Sequence, residues 1–177
     1  MRVILVLLFL CTNNISNSNE YSQIPLKQFA DRNKEILEFK PKTDDERITK
    51  MRISYEYFYY VCLRCAGYNG WMTAMLGKED SEIAKNAEEK HSLMMAEFSL
   101  LATELHSIIN QKDFNTSNVK VLELILKINQ NYIKDSKIIF SQTGKYTSGY
   151  IDSDEDVCTG FYMIKNRIYD IIKLFKK

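Results

Sequence analysis

Residues 43–77 read TDDERITKMRISYEYFYYVCLRCAGYNGWMTAMLG, and this stretch decides the fold. Thr43-Asp44-Asp45-Glu46 is a capping box: the Thr43 hydroxyl suits the free amides of a helix start, and Glu46 reaches back. Asp44 and Asp45 suit the positive end of the helix dipole. Apolar or small residues then recur at intervals of three and four: Ile48, Met51, Tyr55, Phe58, Cys62, Cys65, Asn69, Met72 and Leu76. Gly77 is a natural stop. Tyr57, Tyr59, Tyr60, Val61 and Trp71 add apolar bulk on other faces, as expected of a central helix. Gly67 and Gly70 allow a neighbouring helix to come close, or mark a kink.

Working outward, the same period recurs. A third helix starts near Asp80 or Ser81, with Ile83, Ala87, His91, Met94, Phe98, Leu101, Leu105 and Ile108 as its inward stripe. A fourth runs from about Ser117 to Ser141, with Val121, Ile125, Ile128, Tyr132 and Ile139 on one face. Asn115-Thr116-Ser117 is a glycosylation sequon in the loop expected before it. A fifth helix is read from a cap at Ser153, followed by Asp154, Glu155 and Asp156, and carries Val157, Phe161, Ile164 and Ile168. Before the capping box, Pro25 suits the first turn of a short helix ending near Glu38, which Pro41 stops. Strand-like alternation is not sustained anywhere. The expected fold is all-α: an up-down-up-down bundle of four long helices with a short N-terminal lead-in helix.

The N-terminus carries a different signal. Met1 and Arg2 precede an apolar run from Val3 to Leu10, followed by the polar stretch to Ser18. A short positive start and a short apolar run fit a secretory signal peptide. The run is far below the ~20 residues of a spanning helix. Residues 1–18 therefore read as a signal peptide, 19–42 as a lead-in segment and 43–177 as the bundle. A rival reading makes Cys11 a lipidated residue, against which stands the bulky Leu10 before it. Removal of the leader places the chain in the bacterial periplasm or outside the cell, where thiols pair. The remaining cysteines are Cys62, Cys65 and Cys158.

Helix rise chooses between them. In an up-down bundle the fifth helix runs antiparallel to the second, so its start lies beside the second helix's end. Cys158 is ~7 Å along from Ser153, Cys65 ~16 Å from Leu76 and Cys62 ~21 Å. The smaller offset favours Cys65 with Cys158, with Cys62 as the alternative partner of Cys158. Cys62 with Cys65 would have to close a ring inside a regular helix.

Charge and motifs narrow the function. The chain has 24 Lys and Arg and 23 Asp and Glu; without Arg2 the count is 23 to 23. That balance gives no electrostatic reason to expect nucleic acid or an anionic membrane. Cys62-Leu63-Arg64-Cys65 lies deep inside a helix, lacks the strand-to-helix setting of a redox pair, and has Ala66 where a haem attachment needs His. Glu88 and His91 share the Glu-x-x-His spacing of di-iron bundles, but His106 has Thr103 at that offset, so the second copy is missing. His91 and Glu88 remain weak metal candidates. Asp152, Asp154, Glu155 and Asp156 read as a solvated helix cap. No nucleophile elbow or phosphate-cradling glycine loop occurs. No catalytic residue and no cofactor are expected. The function implied is an exported, non-enzymatic bundle that binds an unidentified protein. The alternative is a carrier of a small apolar ligand or a metal, using an aromatic cleft built from Tyr55, Tyr57, Phe58, Tyr59, Tyr60, Tyr68 and Trp71, or His91 with the thiols.

Overall fold

The structure, a computed structural model, describes residues 26–38 and 40–175. The leader, its cleavage point near Asn19, Cys11 and Pro25 lie outside the described residues. Five helices follow in order: α1 (Leu26–Glu38), α2 (Asp44–Leu76), α3 (Glu82–Asn110), α4 (Phe114–Thr143) and α5 (Tyr150–Phe175). No strand occurs among the described residues. The four long helices pack on one another as the all-α bundle expected.

Helix α2 is the axis, and each of the others packs against it. It is continuous through both glycines, and every residue from Val61 to Asn69 is buried. A helix buried all round has lost the usual solvent face, so its neighbours must close over every side. Gly67 makes one such closure possible: a Cβ there would stand 2.4 Å from Ile128 Cγ2 of α4. The capping box at its start is complete, with Glu46 N–H donating to Thr43 Oγ1 at 3.2 Å and Thr43 N–H to Glu46 Oε2 at 3.3 Å.

Cross-helix contacts give the directions. His91 meets Asn69 and His106 meets Tyr59, so α3 runs antiparallel to α2. Thr103 meets Asn118 near the tight turn at Gln111, so α4 reverses again. Cys158 meets Cys65 and Phe161 meets Phe58, so α5 is antiparallel to α2. α1 lies against α2 and α5, with Leu26 fully buried and Phe29 packed on Tyr57 and Tyr60.

Five expectations are corrected. Ile83 is 83% exposed and Ile48 61% exposed. In α3 the neighbouring Ala84 takes the inward place, and Ile48 lies near the start of α2, ahead of the buried stretch that begins at Tyr55. α4 starts three residues earlier than Ser117, capped by Asp113, whose carboxylate accepts the Thr116 N–H at 2.9 Å. The sequon Asn115-Thr116-Ser117 therefore lies in the first turn of α4, not in a loop. Finally, α5 starts at Tyr150, so Ser153 is an interior residue and not a cap.

Candidate functional site

That earlier start of α5 changes the reading of its acidic cluster. Asp154 turns inward and is fully buried, while Asp152, Glu155 and Asp156 stay exposed. The solvated-cap reading therefore fails for Asp154. Its Oδ2 pairs with Arg64 Nη2 at 2.6 Å and accepts the Tyr132 hydroxyl at 2.5 Å. Its Oδ1 accepts the Leu26 N–H at 2.6 Å. Arg64, also fully buried, donates from Nε to the Tyr132 hydroxyl at 2.7 Å and from Nη1 to the Tyr60 hydroxyl at 3.1 Å. Its guanidinium lies over the rings of Tyr132 and Tyr150. One carboxylate thus ties α1, α2, α4 and α5 together.

Burial pushes the Asp154 carboxyl above its usual range, against the pull of Arg64, Tyr132 and the Leu26 amide. Burial pushes the Tyr132 hydroxyl well up too. The oxygens of Asp154 are filled by protein donors, so what this group does is hold helices in register. A lone buried charge costs several kcal/mol, of order 3–5 when one partner of a pair is removed.

Beside the pair stands the disulfide. Cys65 and Cys158 are bonded, with Cα atoms 5.3 Å apart. Cys65 follows Arg64 directly, and Cys158 is one turn beyond Asp154, so α2 and α5 share a covalent and an ionic clasp at one level. Cys62 stays free and buried. Burial raises its thiol far above the ordinary range, which leaves little thiolate to attack anything.

His91 is half-buried, and its Nδ1 lies 2.7 Å from Asn69 Oδ1. The Asn69 amide nitrogen donates to the Cys65 carbonyl at 2.7 Å, so its oxygen is the atom left for His91 and Nδ1–H is the donor. Burial, then Lys90, lowers the His91 pKa and favours the neutral ring. Glu88 reaches toward Gly77 at the end of α2. Among the described residues, no three His, Cys, Asp or Glu side chains gather as a metal site would need.

The rings of the aromatic run pack on other side chains. Tyr57 and Phe58 pack on Phe161, and Tyr68, Trp71 and Tyr132 pack on one another. A shallow cleft of about 300 Å³ lies between the end of α4 and the start of α5, lined by Asp135, Ile138, Ile139, Ser148, Gly149 and Tyr150. Asp135 Oδ2 there accepts the Tyr150 hydroxyl at 2.5 Å.

The outer faces of α3 and α4 carry a different feature. Thr103 Oγ1 meets Asn118 Oδ1 at 3.3 Å and fixes the register of the two helices. Leu100 lies one turn before Thr103 and Leu122 one turn after Asn118, so the two stand at one level. With Leu93, Val119 and Leu126 they are between 44% and 62% exposed. Among the described residues, no helix is long and apolar enough to cross a membrane.

The chain matches no family model, no curated protein and no solved structure. Its function has to be argued from its own residues.

The sequence pattern carries a signal for two of the three residues of this cluster. Arg64 stands between two cysteines, and Val61, Arg64, Tyr68 and Trp71 form a stripe at helical spacing with the charge inside it. Asp154 belongs to an acidic run that reads as a solvated cap, yet Ile151, Asp154, Cys158 and Phe161 repeat at three and four. Tyr132 lies on the inward face of α4, as its spacing requires, but nothing in its own segment signals that its hydroxyl bridges Arg64 and Asp154.

Proposed function

We propose that this protein is an exported, non-enzymatic helical bundle that works by binding another protein through the outer faces of α3 and α4. The observation that carries the reading is the run of exposed apolar side chains on those faces: Leu93, Leu100, Val119, Leu122 and Leu126. Scattered apolar residues are ordinary on a surface, but a register-matched group on two neighbouring helices is the usual mark of a binding face. Export is supported by the leader-like start of the sequence and by the Cys65–Cys158 pair, since such bonds persist in oxidising compartments. The clasp of disulfide and ion pair suits a rigid scaffold that presents a surface.

Photocross-linking in the source cell tests this. A photoreactive residue at Leu100 or Leu126 is expected to give a discrete adduct with one protein, and the same residue at exposed Lys85 none. Absence of any adduct from both positions, in protein that carries its disulfide, would contradict the reading.

A second reading has one observation in its favour. The cleft beside Tyr150 is at the lower limit of small-molecule sites in volume and has an apolar floor of Ile138 and Ile139. It supports a carrier of a small apolar ligand. An extractable small molecule in purified native protein, lost on Ile139→Asp, would favour it over protein binding.

A further inference from the structure

The cleft between the end of α4 and the start of α5 joins an apolar floor to one charge. Ile138 on the floor is 46% exposed, and Ile139 packs against the buried cluster of Tyr68, Trp71, Tyr132 and Ile151. Of the six residues that line the cleft, Asp135 is the charged one, and it is half-buried. Its Oδ2 is occupied by the Tyr150 hydroxyl at 2.5 Å. Burial and Asp135 itself raise the Tyr150 hydroxyl above its ordinary range, so it stays a donor and pins that oxygen. Among the described residues Asp135 has no ion-pair partner, and its Oδ1 accepts no hydrogen bond. The Arg64 guanidinium over the Tyr150 ring is committed to Asp154. Lys134, Lys137 and Lys145 are exposed, and none lines the cleft. α5 also begins here, and a helix start by itself draws an anion. Two of its first amides are already taken: the Ile151 N–H donates to the Ser148 carbonyl and the Ser153 N–H to the Gly149 carbonyl, each at 3.2 Å. Asp152 adds a further negative charge in that first turn.

We infer that this cleft binds a small amphiphilic amine, with its ammonium on Asp135 Oδ1 and its apolar body on Ile138 and Ile139. This rests on the carrier reading of the cleft, adds the charge of the ligand and is independent of the α3–α4 face. A half-buried carboxylate without a counter-ion has lost part of its solvation, and a ligand cation restores what burial removed. Asp135, Ile138 and Ile139 stand three and four residues apart on one side of α4, so head and body are separated by only ~6 Å along the helix. The ligand is therefore short. A fatty-acid head group would bring a second anion against Asp135, and a neutral apolar molecule would cover the floor and leave the carboxylate uncompensated.

The test titrates the whole oxidised chain with hexylamine, hexanol and hexanoate, which share a body and differ in head group. Amide NMR signals of Ile139, Ser148, Gly149 and Tyr150 report the binding. Hexylamine is expected to shift these signals and to bind about fivefold tighter than hexanol, with hexanoate the weakest. Asp135→Asn keeps an acceptor for the Tyr150 hydroxyl and removes the charge, so it should bring hexylamine down to the level of hexanol. Ile138→Gln, at an exposed position, should weaken hexylamine and hexanol alike. Retained helicity and thermal midpoint confirm that each variant folds. Equal binding of hexylamine and hexanol to the unmodified chain, or an amine preference retained in Asp135→Asn, overturns the inference and leaves the carrier reading standing. Tightest binding by hexanoate overturns it in favour of an anion held at the start of α5. Failure of all three to move these signals removes the carrier reading and the inference with it.

Discussion

Arg64 and Asp154 meet at 2.6 Å with neither side chain exposed, and Tyr132 bonds to both. Four helices converge on this pair. Asp154→Ala should destabilise the fold by ~3–5 kcal/mol, because it leaves the Arg64 cation buried without its counter-ion. Arg64→Met with Asp154→Leu should cost less than either single change. Urea denaturation of the set measures it; additive losses would show that the pair does not act as a unit.

Gly67 is where α4 comes closest to α2. A Cβ there would meet Ile128 Cγ2 at 2.4 Å and the Asn129 amide nitrogen at 3.3 Å. The helix propensity of Ala favours substitution at this site, but the crowding opposes it. Gly67→Ala should lower stability by ~1–3 kcal/mol, and Ile128→Ala in the same chain should recover part of the loss. A gain in thermal midpoint on Gly67→Ala alone would mean that α4 sits farther away than described.

Both histidines give a pH dependence with a definite sign. Burial lowers the pKa of His91, with help from Lys90, and of His106, with help from Lys120. In the unfolded chain they titrate near the ordinary ~6.5. Below that pH the unfolded chain binds more protons, so stability is full above about pH 7 and falls as the solution is acidified toward the lowered folded values. The raised Asp154 carboxyl acts with the opposite sign, so the slope is read between about pH 7.5 and 6, around the unfolded imidazole value, and assigned by comparison with a variant that lacks both rings. His91→Gln with His106→Gln should flatten the thermal midpoint across that window. A slope unchanged by the double variant would place its origin elsewhere.

The extent to which these features were legible differs along the chain, for physical reasons. The capping box at Thr43, the central role of α2 and the disulfide partners follow from spacing alone, because period and rise are local properties. The end of α3 and start of α4 were blurred, since Gln111 takes a left-handed conformation that Gly or Asn usually marks, and Asp113 caps with Thr116 as its partner. The ion pair was hidden because each charge sits beside a more familiar pattern: Arg64 inside Cys-x-x-Cys, Asp154 inside a run of acids. Two isolated charges of opposite sign, each on an apolar stripe of helices expected to touch, were the available signal. Leu122 and Leu126 lie off the inward line of Val121, Ile125 and Tyr132, so spacing alone puts them outward; which helix they stand beside follows only from the register with α3.

Reduction should matter as much as the charges. The Cys65–Cys158 bond spans 93 residues and joins the helix that every other packs on to the last helix. Its loss, by Cys158→Ser or by reductant under mild denaturation, should cost ~2–4 kcal/mol. Cys62→Ser leaves the bond in place and should cost only the packing of one buried thiol. Equal losses in the two variants would argue that the bond contributes little beyond filling space.

Export and the clasp between α2 and α5 leave one covalent record in the chain. Peptide mapping without reductant, on protein taken from its native compartment, tests that most directly. The account predicts a mature chain beginning near Asn19, a Cys65–Cys158 link and an unmodified Cys62. Retained Met1 with three free thiols, or a link through Cys62, would contradict it.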